Sequence, residues 1–208
     1  MTTTIMLVRH GQTKSNVEGY FMGRLDEDIN QTGYAQARAL SGRLAHQTID
    51  TICTSPLRRT YNTASVLAEP HKLELQVLDD LIEINQGDWE GMHVDKISQG
   101  WPEQWRHTRT DPTDFTMPNG ESFKEVTERS VRAFNQIVAD NPDKQVALVS
   151  HEIVVKVIIV HALGTTNSIY RHFDLTNASL SVIKVAGGKP HLVVLNDTTH
   201  LDGLKGDW

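Results

Sequence analysis

Cysteine and long hydrophobic runs are both scarce in this 208-residue chain. Cys53 is the single cysteine, so no intrachain disulfide can form, and its apolar neighbours predict a small buried side chain rather than a reactive thiol. The longest apolar stretch runs from Ile153 to Leu163 and contains Lys156. It is too short to cross a bilayer, so it predicts a buried helix, and no membrane partner is expected.

An excess of basic residues is also absent. The chain has 20 lysines and arginines against 26 aspartates and glutamates, with a formal net charge of -6. This balance argues against non-specific nucleic-acid binding, which needs a basic face. The apolar stretch at the N-terminus is short and is interrupted by Arg9, unlike a signal peptide, so a cytoplasmic location is expected.

Apolar runs and helical periodicity alternate along the chain without an internal repeat or a flexible linker. The predicted strands cover residues 4–8, 50–53, 74–78 and 145–149, and the predicted helices cover 32–46, 57–68, 123–141 and 153–163. A hairpin is predicted from residues 181–185 and 191–195. The pattern indicates one α/β domain over residues 1–208, with a mostly parallel sheet, helices on both faces and an antiparallel edge strand.

The segment from residue 86 to residue 122 is too long for a plain connection, and it is rich in tryptophan and proline. We interpret it as an irregular, lid-like insertion whose tryptophans anchor it to the domain. Its Arg106 and Arg109 face either solvent or an anionic substrate. The tail from Gly203 to Trp208 is expected to be disordered.

Three predicted strands end in, or lead into, arginine and histidine residues, which share basic side chains. The first ends at Arg9 and His10, the second leads into Arg58 and its neighbour Arg59, and a later one ends just before His151. Taken singly, each residue has a plain structural alternative, such as a solvated helix face or a satisfied polar group. Because parallel strands bring their carboxyl ends to one edge of a sheet, we expect these residues to converge there.

Phosphoryl transfer requires such a set of residues. Arginine forks neutralise and orient the phosphoryl oxygens, and a neutral imidazole can attack phosphorus. Glu83 lies among apolar residues, where desolvation raises a carboxyl pKa toward the range useful for a general acid. The alternative is an exposed glutamate on a short strand.

Short motifs in this order resemble the histidine phosphatase superfamily, the phosphoglycerate-mutase-like group, over nearly the whole chain. They are Arg9-His10-Gly11, Ser55-Pro56-Leu57-Arg58-Arg59-Thr60, Glu83, Gly87-Asp88-Trp89-Glu90-Gly91 and Ser150-His151. The resemblance implies a three-layer α/β/α sandwich on a mostly parallel sheet with an antiparallel edge strand. It also implies that no cofactor and no metal is needed.

The resemblance further implies individual roles. His10 would carry a phosphohistidine, and Glu83 would donate the proton. Arg9, Arg58 and His151 would hold the phosphoryl group. The positions that match the family's phosphate or substrate pocket are Gln12, Asn16 and Gly23.

Within this superfamily the short chain and the residues after Glu83 favour a phosphatase over a phosphoglycerate mutase, which stays as the alternative. The metal-independent phosphoserine phosphatases are similar, but some of them have a substrate-reading histidine where this chain has Gln86. The candidate substrates are therefore phosphoserine, phosphoglycerate and sugar phosphates. Glu152, where relatives often have glycine, either pairs with Lys156 or reads a cationic group on the substrate.

Two further classes remain open at this stage. A metal-dependent hydrolase could use His10, His151, Asp26 and Glu152, although the close ligand spacing of a metal site is missing. A phospho-ligand binding protein without catalysis would be expected to have lost part of the catalytic set. The number of subunits is also open, with a homodimer as one alternative to a monomer.

Overall fold

The computed structural model describes residues 2–204, so Lys205 to Trp208 of the predicted tail lie outside the described residues. In chain order, the strands are β1 (Thr2–Arg9), β2 (Tyr20–Phe21), β3 (Thr51–Thr54), β4 (Leu75–Val77), β5 (Met92–His93), β6 (Gln145–Ser150), β7 (Leu180–Ala186) and β8 (Lys189–Asp197). The α-helices are α1 (Lys14–Glu18), α2 (Gln31–Leu44), α3 (Arg58–Ala68), α4 (Val94–Gly100), α5 (Pro102–Thr110), α6 (Phe123–Asp140) and α7 (Glu152–Ala162).

The main sheet has the strand order β4-β3-β6-β1-β7-β8. The first four of these strands are parallel to one another. β7 runs antiparallel to β1, and β8 pairs antiparallel with β7. The mostly parallel sheet is thereby confirmed. The antiparallel strand lies one position inside the edge, because its own hairpin partner covers it.

Helices cover both faces of this sheet. Met6 and Val8 of β1 belong to the core beneath α2 and α3, whereas Ile5 and Leu7 belong to the core beneath α6 and α7. Successive residues of a strand point to opposite faces, so a continuous apolar run fills both layers at once. This is the expected α/β/α sandwich.

The 86–122 segment is more regular than its sequence predicts. It contains β5, which pairs with β2, and the helices α4 and α5. The prediction of an irregular loop is therefore wrong over residues 94–110. Trp89 is fully buried at the centre of the segment. Its ring packs against Phe21, Trp101, Trp105 and Phe115.

Helix α6 begins where side chains satisfy its first backbone donors. Ser122 Oγ accepts a hydrogen bond from the Glu125 N–H, and the Glu125 carboxylate accepts one from the Ser122 N–H. This capping box ends the 86–122 segment and fixes where the helix starts. Across residues 2–204, no helix combines the length and the apolar character needed to span a bilayer.

Candidate active site

The carboxyl ends of three parallel strands meet at one edge of the sheet. Arg9, the last residue of β1, lies beside Ser150, the last residue of β6. The His10 N–H donates to the Ser150 carbonyl at 2.9 Å, and the Ser55 N–H donates to the Val149 carbonyl at 3.3 Å. The residues that follow β1, β3 and β6 are therefore held against one another, and the ends of the three strands meet as predicted, although Arg58 does not join them.

His10 is held in a single tautomer. Its Nδ1 lies 2.8 Å from the Gly11 carbonyl oxygen, which can only accept, so Nδ1 carries the proton and Nε2 is left with a lone pair. Burial lowers the pKa of His10 well below its usual value, and the charges of Arg59 and Arg9 lower it further. The ring is therefore neutral at pH 7.

Gly11 is required by a close backbone contact. A Cβ at this position would lie 2.7 Å from the carbonyl oxygen of Gly33 in α2. Only glycine lets the loop after β1 pass this close to the start of α2. That contact fixes the carbonyl that orients His10.

Arg59 joins His10 to a second histidine. Its Nε donates to Nδ1 of His151 at 3.1 Å, and its Nη2 donates to the Gly23 carbonyl at 2.6 Å. Since Nδ1 of His151 accepts, its Nε2 carries the proton, which it donates to Ser55 Oγ at 2.8 Å. The two imidazole rings lie edge to face, with their centroids 5.5 Å apart.

Glu83 is a buried carboxyl. Its Oε1 accepts a hydrogen bond from the Ile84 N–H at 2.9 Å, and its side chain lines the same cavity as His10. Burial raises the pKa of Glu83, although the Ile84 hydrogen bond and the Arg59 charge oppose this shift. The site therefore contains a carboxyl that keeps its proton to a higher pH than an exposed glutamate does.

A cavity of about 230 Å³ opens in front of these residues. Its lining contains more positive than negative side chains: Arg9, Arg59, Arg109 and Arg171 against Glu83 and Glu152. Asn16, Gly23 and Gln86 also line it. A small cavity of this charge is suited to a small anionic ligand.

Glu152 is held by two cations. Its Oε2 lies 3.1 Å from Arg9 Nη2, and its Oε1 lies 3.3 Å from the Nζ of Lys156. Burial by itself would raise the pKa of Glu152, but Arg9 and Lys156 outweigh burial and the pKa is lowered. The pairing of Glu152 with Lys156 is thus present. Arg9 also donates to the Leu175 carbonyl at 2.5 Å, so its guanidinium is fixed on both sides.

No group of three or more histidine, cysteine or carboxylate side chains is placed to hold a metal ion among the described residues. Residues 5–198 match the family described as the histidine phosphatase superfamily (branch 1). The chain belongs to this superfamily. This histidine phosphatase is 34% identical to phosphoserine phosphatase 1 of Hydrogenobacter thermophilus, over 95% of the chain and 93% of that protein.

It is also 30% identical to the adenosylcobalamin/alpha-ribazole phosphatase of Salmonella typhimurium, over 92% of the chain and 95% of that protein. Among solved structures, Bacillus stearothermophilus YhfR superimposes with a TM-score of 0.91 at 30% identity, over 96% of this chain and 99% of that one. A mycobacterial glucosyl-3-phosphoglycerate phosphatase superimposes with a TM-score of 0.88 at 28% identity, over 95% and 100%. The chain is therefore a phosphatase enzyme that acts on small phosphorylated substrates.

Of the two adjacent arginines at the start of α3, this histidine phosphatase places Arg59 in the cavity, and the choice of Arg58 from sequence is wrong. Arg58 has 60% of its side chain exposed and pairs with Asp26, its Nε lying 3.0 Å from Oδ2. Successive residues of a helix point about 100° apart, so only one of two adjacent arginines at the start of α3 can face the site. Arg59, 3% exposed, is that residue.

Two further positions differ from the prediction. Gln12 points away from the cavity of this phosphatase, because its Oε1 accepts a hydrogen bond from the Asn30 side chain at 3.0 Å. His151 is fully buried and lies behind Arg59 instead of lining the cavity. It contacts the site through Arg59 and the His10 ring.

Seven cavity residues were not found from sequence: Thr13, Tyr20, Phe21, Met22, Ile153, Tyr170 and Arg171. Thr13 had a usable signal, because threonine followed three residues later by Asn16 forms the capping box of α1 at the cavity edge. Tyr170 and Arg171 follow a short 3-10 turn, Asn167–Ile169, that no periodicity marks. Their place in the site depends on how the chain packs after α7.

Proposed function

We propose that this phosphatase hydrolyses a small phosphomonoester without a metal ion, through a phosphohistidine on His10 and with Glu83 as general acid and base. One observation carries the proposal. The Gly11 carbonyl holds the proton on His10 Nδ1, which leaves the Nε2 lone pair of a neutral imidazole in a cavity that Arg59 and Glu83 share. A nucleophile, cationic groups for the phosphoryl oxygens and a carboxyl with a raised pKa are thereby close together.

In the first step His10 Nε2 attacks phosphorus. A nitrogen–phosphorus bond forms as the bond between phosphorus and the ester oxygen breaks, and the leaving oxygen takes the proton of Glu83. Arg9 and Arg59 neutralise the phosphoryl oxygens during this transfer. The raised pKa of Glu83 supports this role, because the acid must be protonated when the substrate binds.

In the second step Glu83, now ionised, accepts a proton from a water molecule that attacks phosphorus. The nitrogen–phosphorus bond breaks, inorganic phosphate leaves and the neutral imidazole of His10 is restored. Proton and phosphoryl group are each transferred twice, so the enzyme returns to its starting state. His151 supports both steps indirectly, because its Nδ1 accepts the hydrogen bond that orients Arg59.

The candidate substrates are phosphoserine, phosphoglycerate and sugar phosphates. The cavity volume of about 230 Å³ supports molecules of this size, and its positive lining supports an anionic substrate. The names of two relatives, a phosphoserine phosphatase and a glucosyl-3-phosphoglycerate phosphatase, support the same range.

The test is to trap the phosphoenzyme with a radiolabelled phosphomonoester in the presence and absence of a chelator. We expect an acid-labile, base-stable label on wild type in both conditions. The label should be lost in the His10→Asn variant and retained in His191→Asn, which changes an exposed histidine on β8. Activity that disappears with the chelator and returns with a divalent metal contradicts the proposal. Isomerisation of 3- to 2-phosphoglycerate faster than phosphate release would identify a mutase instead.

A further inference from the structure

Two of the cavity arginines, Arg109 and Arg171, are not among the charges that act on His10. Arg109 is on α5, and Arg171 follows the 3-10 turn after α7, yet both line the cavity. The Nε of Arg171 donates to the Thr108 carbonyl at 2.9 Å, which links it to the residue next to Arg109. The structure thus brings two guanidinium groups from distant parts of the sequence to one side of the cavity.

Aromatic rings orient both groups without neutralising them. The guanidinium carbon of Arg109 lies 5.3 Å from the centre of the Trp105 ring, and that of Arg171 lies 5.0 Å from the centre of the Tyr170 ring. Stacking on a ring face holds the plane of a guanidinium and leaves most of its N–H donors free. Arg171 uses Nε towards Thr108, so its two terminal nitrogens stay available.

The nearby carboxylates are engaged with other cations. Glu152 pairs with Arg9 and Lys156, and Asp174 lies 3.7 Å from the Nζ of Lys156. Within residues 2–204, neither Arg109 nor Arg171 forms an ion pair with a carboxylate. The pKa of Arg109 is lowered by burial and then by the charge of Arg171, and the carboxylates of Glu152 and Asp174 offset this shift only in part. An anion bound between Arg109 and Arg171 would relieve the repulsion between their charges.

The four cavity arginines differ in whether their charges act on His10. Arg59 and Arg9 are the cations that act on His10, and they serve the phosphoryl group in the proposed function. Arg109 and Arg171 therefore remain for a different part of the substrate. We infer that they form a second anion-binding subsite, and that the preferred substrates carry another anionic group, a carboxylate or a second phosphate, on the side away from the phosphoryl group being transferred.

This inference rests on the proposed function, and it is tested with substrates that differ in one charged group. The ratio of kcat/KM for 3-phosphoglycerate to that for glycerol 3-phosphate isolates a carboxylate. The ratio for fructose 1,6-bisphosphate to fructose 6-phosphate isolates a second phosphate. Because a hydrogen bond to a charged group contributes about tenfold or more in binding, we expect at least one of the two ratios to exceed about tenfold in wild type.

The Arg109→Gln and Arg171→Lys variants should each reduce that ratio by about tenfold, mainly through KM. Arg106→Gln is the matched control, because Arg106 is exposed on the same helix and does not line the cavity. Arg109 is itself exposed on α5, so its replacement does not threaten the fold. If the ratio for 3-phosphoglycerate exceeds ten, the second anionic group is a carboxylate. If the ratio for fructose 1,6-bisphosphate exceeds ten, it is a phosphate.

A binding measurement separates this inference from the proposed function. Calorimetry with the His10→Ala protein gives the dissociation constants of the same four compounds without turnover. Tighter binding of the compound with the extra charge, lost in Arg109→Gln, supports the subsite even if no phosphohistidine is found. The inference is overturned if both ratios are near one in wild type, or if Arg109→Gln and Arg171→Lys leave the ratio unchanged. In either case phosphate release from glycerol 3-phosphate would still support the proposed function.

Discussion

Arg59 and His151 form a direct hydrogen bond, with Arg59 Nε donating to His151 Nδ1 at 3.1 Å. The bond settles the tautomer of His151 and places the guanidinium beside His10, so one arginine connects both histidines of the site. Through this bond the buried His151 contacts the site although it does not line the cavity. Removing either partner leaves a buried polar group unsatisfied.

Adjacent arginines give the sharpest test of this arrangement. We expect Arg59→Met to lower kcat for p-nitrophenyl phosphate by about 10²–10³-fold, the usual effect of losing one group that stabilises the transition-state charge. Arg58→Met should stay within about threefold, because Arg58 is an exposed partner of Asp26 and only weakly stabilising. Similar losses in the two variants would contradict the assignment of Arg59 to the site.

Glu83→Gln should discriminate between leaving groups. Loss of the general acid is expected to slow alkyl phosphate hydrolysis by about 10²–10⁴-fold, and to slow formation of the phosphoenzyme from p-nitrophenyl phosphate much less, because that leaving group needs no proton. The wild-type rate with alkyl phosphates should also fall as rising pH removes the Glu83 proton. That alkaline limb should be absent in the variant. Rapid-quench measurements of the first turnover at several pH values check both expectations.

The two histidines should make stability depend on pH. Burial lowers the pKa of His10 and of His151 well below 6.5, so below that pH the unfolded chain binds protons that the folded chain does not. Stability is then lost as pH falls below about 6.5, by up to about 1.4 kcal/mol per pH unit for each histidine. The free energy of unfolding, measured by urea denaturation at several pH values between 5 and 7.5, should change less steeply with pH in His10→Asn than in wild type. An equal slope would mean that His10 is protonated in the folded enzyme.

Arg129 should matter more for stability than Arg132 on the same helix. Arg129 is buried, its Nε lies 2.7 Å from Glu121 Oε1, and it donates to the carbonyls of Ile82 and Glu83. Arg129→Met is expected to lower the free energy of unfolding by about 3–5 kcal/mol, because it leaves the Ile82 and Glu83 carbonyls without their donor and leaves Glu121 with Arg24 as its remaining ion-pair partner.

Arg132 is 65% exposed in its ion pair with Asp80, so Arg132→Met should cost only about 0–1 kcal/mol. Urea unfolding of both variants at pH 7 makes the comparison. The Arg129 variant should also lose activity, since Arg129 holds the backbone on either side of the acid. Equal stabilities would show that the Arg129 network contributes no more than a surface ion pair does.

The 86–122 segment shows where sequence patterns fail. Pro102 at the first turn of α5 is compatible with a helix start, but α5 has few apolar positions to create a helical period. Its residues are ordered by aromatic packing around Trp89, whose ring contacts Trp105 of α5, Trp101 between α4 and α5, and Phe21 of β2, which lies outside the segment. Such contacts depend on tertiary structure, and local periodicity does not report them.

The sequence by itself determined the alternating strands and helices and the common edge at which Arg9, His10 and His151 meet, whereas the burial of Glu83 was settled by the structure. The first two follow from apolar runs and from the rule that parallel strands end at one edge. Only the tertiary structure decided that Arg59 rather than Arg58 enters the site, and that Arg109 and Arg171 face one cavity. A rotation of one residue along a helix, or a contact between distant segments, changes side-chain direction without changing the sequence pattern that predicts the fold.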